Sequence, residues 1–306
     1  MFFFVFSLLC EYIDRKLTAR LQSRVGPPFY QPWADFIKLM SKEDLVPEKA
    51  SRRIFTALPI VGVAAVVTAF IYIPLWSVNS IYPFTGDIVV VIYLLTLPTL
   101  ILFLMGWYST NVFGTVGASR AVTQLFAYEV PFLLALLAPV LITGEWSLSS
   151  VVSYQVDHIW LFCYLPLAFI VAIIALAGKL ERVPFDSPHA GEEILGGPLA
   201  EYSGARLALI HLMTDMELVA GSALIVTLFL GGFDYIGANP GFGGAVVGFI
   251  VFLVKILLIV FILSCIKAAF ARIRIEQMVN MCMRWLVPIV VIQLLIIVGL
   301  KFGGVL

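Results

Sequence analysis

Gly244-Ala-Val-Val-Gly-Phe-Ile-Val-Phe-Leu-Val-Lys255-Ile-Leu-Leu-Ile-Val-Phe-Ile-Leu-Ser-Cys-Ile266 is a run of 23 residues with one charged side chain, Lys255. At about 1.5 Å per residue a helix of that length covers about 35 Å, enough to cross a hydrocarbon core of about 30 Å. Six further runs qualify by the same rule, at about 54–76, 88–108, 125–143, 159–178, 205–230 and 285–302. An eighth, the N-terminal Met1–Cys10 stretch, is short unless Tyr12 and Ile13 extend it, and Glu11-Tyr-Ile-Asp14 supplies no small-residue cleavage site for a signal peptide. Composition agrees, since 61% of the 306 residues are hydrophobic and 12% charged, against about a quarter charged in soluble domains. The expected fold is therefore an all-α polytopic membrane protein forming a single integral membrane domain over residues 1–306. It has about eight transmembrane helices plus a cytoplasmic-side amphipathic helix.

Lys and Arg number 19, as do Asp and Glu. A zero net charge on so apolar a chain excludes both a disordered polymer and a polycation for nucleic acid. The distribution of the basic residues then sets the topology, because cytoplasmic loops are enriched in them. Residues 14–53 carry nine, Arg120 follows the third span, Lys179, Arg182 and Arg206 flank the connection after the fifth, and Lys267, Arg272, Arg274 and Arg284 follow the seventh. The even connections, 77–87, 144–158 and 231–243, contain acidic Asp87, Glu145, Asp157 and Asp234 and no Lys or Arg. Every odd connection is thus expected to face the cytoplasm and both termini the outside of the cell membrane.

Cys10, Cys163, Cys265 and Cys282 form no C-x-x-C pair, and His158, His189 and His211 do not make the facing pairs of a membrane haem. Walker, dinucleotide-binding, zinc-protease and nucleophile-elbow patterns are also missing. The chain is expected to bind no metal and no redox cofactor of its own, and to supply no catalytic residue.

Three cytoplasmic segments remain. In 14–53, Leu17, Leu21 and Val25 recur at helical spacing, and after Gly26-Pro27-Pro28 a second run sets Trp33, Phe36, Ile37 and Met40 on one face. Such a helix lies in the membrane interface or along neighbouring spans, and it reads either as a plain anchor or as a docking element. The acidic segment 179–204 interleaves Glu181, Asp186, Glu192, Glu193 and Glu201 with Val, Phe, Ile, Leu and several prolines. That composition points to a loop folded back on protein, whose carboxylates act as a proton relay or conformational lever; a solvated docking face is the other reading. The basic segment 267–284 is the third. Within the spans, Glu129, Asp215, Glu217 and Lys255 each cost roughly 2.5–3.5 kcal/mol at mid-membrane on insertion scales. Paired or water-lined, they form a polar axis; His211 and Asp215, one turn apart, are expected to hydrogen-bond.

Four motifs resemble one family over about residues 14–284: Asp14-Arg-Lys-Leu through Arg24-x-Gly-Pro and Gln31-Pro-x-Ala-Asp35-x-x-Lys38; Tyr128-Glu129-Val-Pro131; Pro184-Phe-Asp186-x-Pro188 through Glu201-Tyr-Ser-Gly204; and Lys255 with Arg272-x-Arg274-x-Glu276-Gln277. The family is the complex I subunit that links the hydrophilic and membrane arms, together with its counterpart in membrane-bound hydrogenases. The resemblance implies a non-catalytic subunit that couples neighbouring electron transfer to ion movement. Arg24, Gln31, Asp35, Lys38, Arg272, Arg274 and Glu276 would face cluster-bearing hydrophilic subunits. Glu129, Glu181, Asp186, Glu192, Glu193 and Glu201 would lead toward antiporter-like membrane subunits, with Asp215, Glu217 and Lys255 in the axis. Iron–sulfur clusters, and nickel–iron in a hydrogenase, would sit in those partners, fed by ferredoxin.

Two departures select a branch. The turn Gly26-Pro-Pro-Phe-Tyr-Gln31-Pro32 is abbreviated, and His189 and Gly191 stand where quinone-reducing members carry glutamates. Both are similar to the hydrogenase and sulfur-reducing branch, which uses no quinone. A quinone-site subunit of an NADH- or ferredoxin:quinone oxidoreductase is the alternative, and a stand-alone secondary transporter an alternative of another class, though the chain has no internal repeat of the kind such folds show.

Overall fold

The computed structural model describes residues 2–77, 79–233 and 242–303, and among these it contains helices and turns but no strand. Asp234 and most of the connection around it lie outside the described residues. The helices are α1 (Phe2–Leu21), α2 (Gln31–Ser41), α3 (Arg52–Tyr72), α4 (Asp87–Tyr108), α5 (Val112–Thr143), α6 (Leu148–Asp157), α7 (Leu161–Tyr164), α8 (Pro166–Lys179), α9 (Gly191–Ile194), α10 (Gly204–Phe229), α11 (Phe242–Ala269), α12 (Ile275–Met281) and α13 (Val287–Phe302). Among the described residues, six helical stretches are long and apolar enough to cross a membrane, the last of them being α12 and α13 run together. With α1 and the shorter α8 the architecture is close to the expected eight.

The boundaries correct several expectations. α1 does not stop near Cys10 but continues to Leu21. No Gly or Pro interrupts the chain before Gly26, and Glu11 and Asp14 are buried against basic partners rather than turned to water. The amphipathic segment is therefore divided between the end of α1 and the separate α2. α5 begins at Val112 rather than about 125, where the Asn111 side chain accepts from the Phe113 N–H at 3.0 Å. Gly114, Gly117, Ala118 and Ala121 are buried on it, and a Cβ at Gly117 would meet Pro198 of the acidic segment at 2.6 Å. Arg120 thus sits on a helix, not in a connection.

The fifth span, expected as one helix over 159–178, is broken into α7 and α8, preceded by α6. Pro166 has no N–H to donate and starts a new helix. The basic segment 267–284 shrinks to a connection at 270–274, because α11 runs to Ala269 and α12 starts at Ile275. Arg284 lies in a wide, π-type turn at Cys282–Leu286 that leads into α13. Pro288 cannot bond the carbonyl of Arg284 four residues back, and the wider turn absorbs that defect.

α10 is the axis of the molecule. Of its most apolar window 94% is buried, against 28% for the last span, so protein surrounds the former and lipid is free to surround much of the latter. It packs on α1, α2, α3 and α11. Its start is set by Gly204, at φ +59°, where a Cβ would come within 2.8 Å of the Glu43 carbonyl. The Leu45 N–H donates to Ser203 Oγ at 3.1 Å and Arg206 pairs with Asp44 at 3.2 Å, fastening the segment after α2 onto α10.

Candidate functional site

Two groups of buried charges lie along α10, at the end of the bundle where the acidic segment folds. The first centres on Arg182. Its guanidinium donates to Asp14 at 2.7 Å, Glu11 at 2.8 Å and Asp215 at 3.2 Å. Asp14 also accepts from Lys267 and from the Ser264 hydroxyl, both at 2.7 Å, and Glu11 from Arg15 at 2.6 Å. Three cations, Arg15, Arg182 and Lys267, thus face three carboxylates, Glu11, Asp14 and Asp215. Among these six residues the charges cancel, and Arg15 also pairs with the more exposed Asp35 at 3.0 Å. Burial opposes the charge on Arg182, but Glu11, Asp14 and Asp215 outweigh it and hold the guanidinium above its already high ordinary value.

The second group does not balance. Lys179, with no exposed side-chain surface, lies 3.4 Å from Glu129 and above the rings of Tyr128 and Phe132. Glu217, 2% exposed, interacts electrostatically with Lys179, Glu181 and Glu129 and, more weakly, with Arg182, which is already engaged by the first group. Glu181 is buried and has φ +48°, and its Oε2 lies 2.7 Å from His189 Nε2. Three carboxylates share one lysine and one imidazole. Even with His189 charged, three full negative charges would leave one uncompensated in a low-dielectric setting, so the group has room for one more proton. One buried carboxyl oxygen of Glu217 has no hydrogen-bond partner, and so lacks the donors that would stabilise a full negative charge there.

Beyond His189 the path reaches the surface. Asp186 pairs with Arg272 at 3.0 Å, and burial raises its carboxyl above the usual range against the opposing pull of His189 and Arg272. A cleft of about 530 Å³ gathers Asp186, Glu192, Glu193, Arg120, Arg272, Arg274 and Glu276, with Glu193 paired to Arg120 at 2.6 Å. A second cleft, of about 250 Å³, opens between α1, α2 and α10 and is lined by Glu11, Arg15, Asp35, Lys38, His211 and Asp215. There Asp35 accepts from Gln31 at 2.9 Å and from Arg15 at 3.0 Å.

Of the residues expected to face partner subunits, Asp35 and Lys38 line one cleft and Arg272, Arg274 and Glu276 the other; Gln31 joins only through its bond to Asp35, and Arg24, exposed in the turn after α1, lines neither. Glu201 is apart from the buried path, held by Asn111 at 2.7 Å. Asp215 bonds Arg182 and not His211, which is exposed. Lys255 sits at the far end of α10, donating to the carbonyls of Leu230 at 2.6 Å and Gly232 at 3.1 Å and lying over the Trp160 ring. Sequence reasoning overlooked Glu11, Asp14 and His189 as members of the site and read Lys179, Arg182 and Lys267 as topology markers only. A carboxylate pair at i, i+3 inside an otherwise apolar helix was the available signal. Among the described residues, no three His, Cys, Asp or Glu side chains converge in a metal-holding arrangement.

Comparison with known proteins places this geometry. The family model for NADH dehydrogenase matches residues 1–298. NADH-quinone oxidoreductase subunit 8 of Thermus thermophilus is 34% identical over 93% of this chain and 80% of its own length. A second NADH-quinone oxidoreductase subunit, from Carboxydothermus hydrogenoformans, is 31% identical over 94% of this chain and 83% of its own. Among solved structures, a chain of the membrane-bound sulfane sulfur reductase, an archaeal respiratory membrane complex, superposes with a TM-score of 0.88 at 28% identity, covering 97% of this chain and 96% of that one. Buried carboxylates on a central helix and a match along nearly the whole length agree with the resemblance drawn from the motifs: the chain belongs to the NADH dehydrogenase family of complex I-like membrane subunits.

Proposed function

We propose that this chain is the membrane-anchor and coupling subunit of a multisubunit, ion-translocating oxidoreductase of the ferredoxin-linked hydrogenase or sulfur-reductase type. It carries no reaction itself. Cluster-bearing hydrophilic subunits dock on the two clefts, antiporter-like subunits adjoin it in the cell membrane, and the odd connections face the cytoplasm. The observation that carries this reading is the unbalanced group Glu129–Lys179–Glu217–Glu181–His189, which opens to the surface through Asp186. A charge arriving at a neighbouring cluster shifts the protonation of this group, and the shift biases H⁺ or Na⁺ movement in adjacent subunits. The structural likeness to a sulfane sulfur reductase chain supports the branch.

In the intact complex in inverted vesicles, Glu129→Gln and Glu193→Gln are expected to leave electron transfer to an artificial acceptor unchanged and to lower ion translocation. Unchanged translocation in both would overturn the coupling role.

A quinone-site subunit is the second reading. It is favoured by the names of the NADH-quinone oxidoreductase relatives and by the cleft between α1, α2 and α10. Quinone-dependent, inhibitor-sensitive turnover of the purified complex would select it.

A further inference from the structure

His189 sits where the buried and the open parts of the acidic segment meet. On one side its Nε2 lies 2.7 Å from the Oε2 of Glu181, a carboxylate 5% exposed. On the other it acts electrostatically on Asp186, whose side chain is 16% exposed and bonded to Arg272 at the cleft. The imidazole itself keeps 18% side-chain exposure, so it reaches both environments without moving far. Glu181 holds a left-handed backbone conformation, φ +48°, that is unfavourable for a residue with a Cβ. The surrounding chain therefore keeps the carboxylate aimed inward.

We propose that His189 is a proton-transfer residue of this segment, exchanging a proton between the cleft at Asp186 and the buried carboxylate of Glu181. In the step, the Nε2–H bond of the imidazolium breaks and an O–H bond forms on Glu181 Oε2. The charged pair becomes a neutral imidazole and a neutral carboxylic acid, and net charge is conserved. Reprotonation of the imidazole from the cleft completes the exchange. The two atoms are 2.7 Å apart but not aligned as a hydrogen bond, so a small rotation of the imidazole toward Oε2 precedes the transfer. Imidazole suits the task because its ordinary pKa lies near neutrality.

Every neighbouring charge bears on that titration. Glu181 and Asp186 come from the segment itself, and Arg272 lies behind Asp186. Behind Glu181 lie Glu217 on α10 and Lys179 at the end of α8. Arg120 of α5 contacts the Ser187 carbonyl and Glu193, and His211 acts from α10. Burial alone would lower the imidazole, but Glu181 and Asp186 outweigh it and hold it above its ordinary value.

The inference rests on the coupling role above, and the test separates the two. Translocation per electron is measured from about pH 6 to 9 in vesicles carrying the intact complex, in which a histidine titrates. His189→Gln keeps a neutral polar side chain but cannot carry the proton. It is expected to slow translocation at least about tenfold with artificial-acceptor electron transfer unchanged, and to flatten the pH profile. His189→Glu, which titrates again, is expected to restore translocation with a pH profile displaced from that of the wild type. A His189→Gln profile identical to wild type beside an impaired Glu217→Gln overturns the role of His189 and leaves the coupling role standing. Wild-type translocation in both overturns both. Should His189→Gln fail to assemble, His189→Glu decides: a shifted profile supports the transfer role, and an unshifted one overturns it.

Discussion

At the scale of single residues, Arg182 is the group on which most depends. It is the shared donor to Glu11, Asp14 and Asp215, and removing one partner of a buried ion pair costs about 3–5 kcal/mol. Arg182→Met is expected to lower the amount of subunit in the membrane several-fold and to depress the thermal midpoint of the complex. Arg182→Lys, a point charge without the planar fork, should recover only part of it. Differential scanning fluorimetry of solubilised membranes checks both. None of this pairing was legible in the sequence. Glu11 and Asp14 are separated from Arg182 by 171 and 168 residues, and only the tertiary fold brings them together. His189 was legible as a departure from the family pattern, but its contact with Glu181 was not. The sign of its pH effect follows from its raised pKa. The His189–Glu181 attraction is fully present below the imidazole's ordinary value of 6.5 and is lost as pH rises through the higher folded value. Protection against hydrogen exchange in residues 180–204, corrected for the intrinsic base-catalysed rate, should therefore fall on the alkaline side, and in His189→Gln that fall should vanish.

At the scale of elements, apolar runs were the dependable signal, and their ends were not. The seven long runs all proved helical, because burying or lipid-facing apolar surface leaves the backbone no other way to satisfy its polar groups. What composition does not encode is how far a polar flank prolongs a helix. α5 starts early because small residues let it seat against Pro198 and Gly197, and α8 starts late because Pro166 opens a new helix. The junction of α2 with α10 yields a prediction at this scale. Gly204→Ala must hold a side chain at φ +59° against the carbonyls of Glu43 and Lys42. A loss of about 1–3 kcal/mol is expected, read as a lower thermal midpoint and as faster proteolysis of the 42–46 segment. An alanine variant as stable as wild type would show that this contact is not what fastens α2 to α10. At the opposite end of α10, Lys255 caps buried carbonyls where a helix terminus leaves them free and partially negative. That geometry holds a lysine inside an apolar span.

At the scale of the whole molecule, the connections sort themselves by end. The 77–87 and 144–158 stretches meet each other, since the Leu148 N–H donates to Asp87 at 2.7 Å and the Gly86 N–H to the Trp146 carbonyl at 3.3 Å. Lys301 reaches the Leu141 carbonyl at 2.9 Å at that same end, and Trp76, Tyr82, Trp146 and Trp160 are exposed there, as aromatic residues are at a membrane interface. The other end joins the 42–45, 110–111, 180–204 and 270–274 stretches through Arg206–Asp44, Asn111–Glu201 and the Ile273 N–H to Pro184 carbonyl bond at 3.0 Å. It holds nearly all the basic residues, so charge asymmetry and helix geometry, which are independent, give one partition. On the orientation proposed above, the positive-inside bias turns that end to the cytoplasm. With Cys163 and Cys265 replaced, a membrane-impermeant thiol reagent should label Thr85→Cys and Glu145→Cys only from outside intact cells, and Lys49→Cys and Ala271→Cys only in inverted vesicles. All four positions are exposed, so their reactivity reports sidedness rather than burial. The reverse pattern would place the acidic segment outside the cell, and no hydrophilic subunit on the cytoplasmic side could then deliver charge to it. The coupling role would fall with the topology.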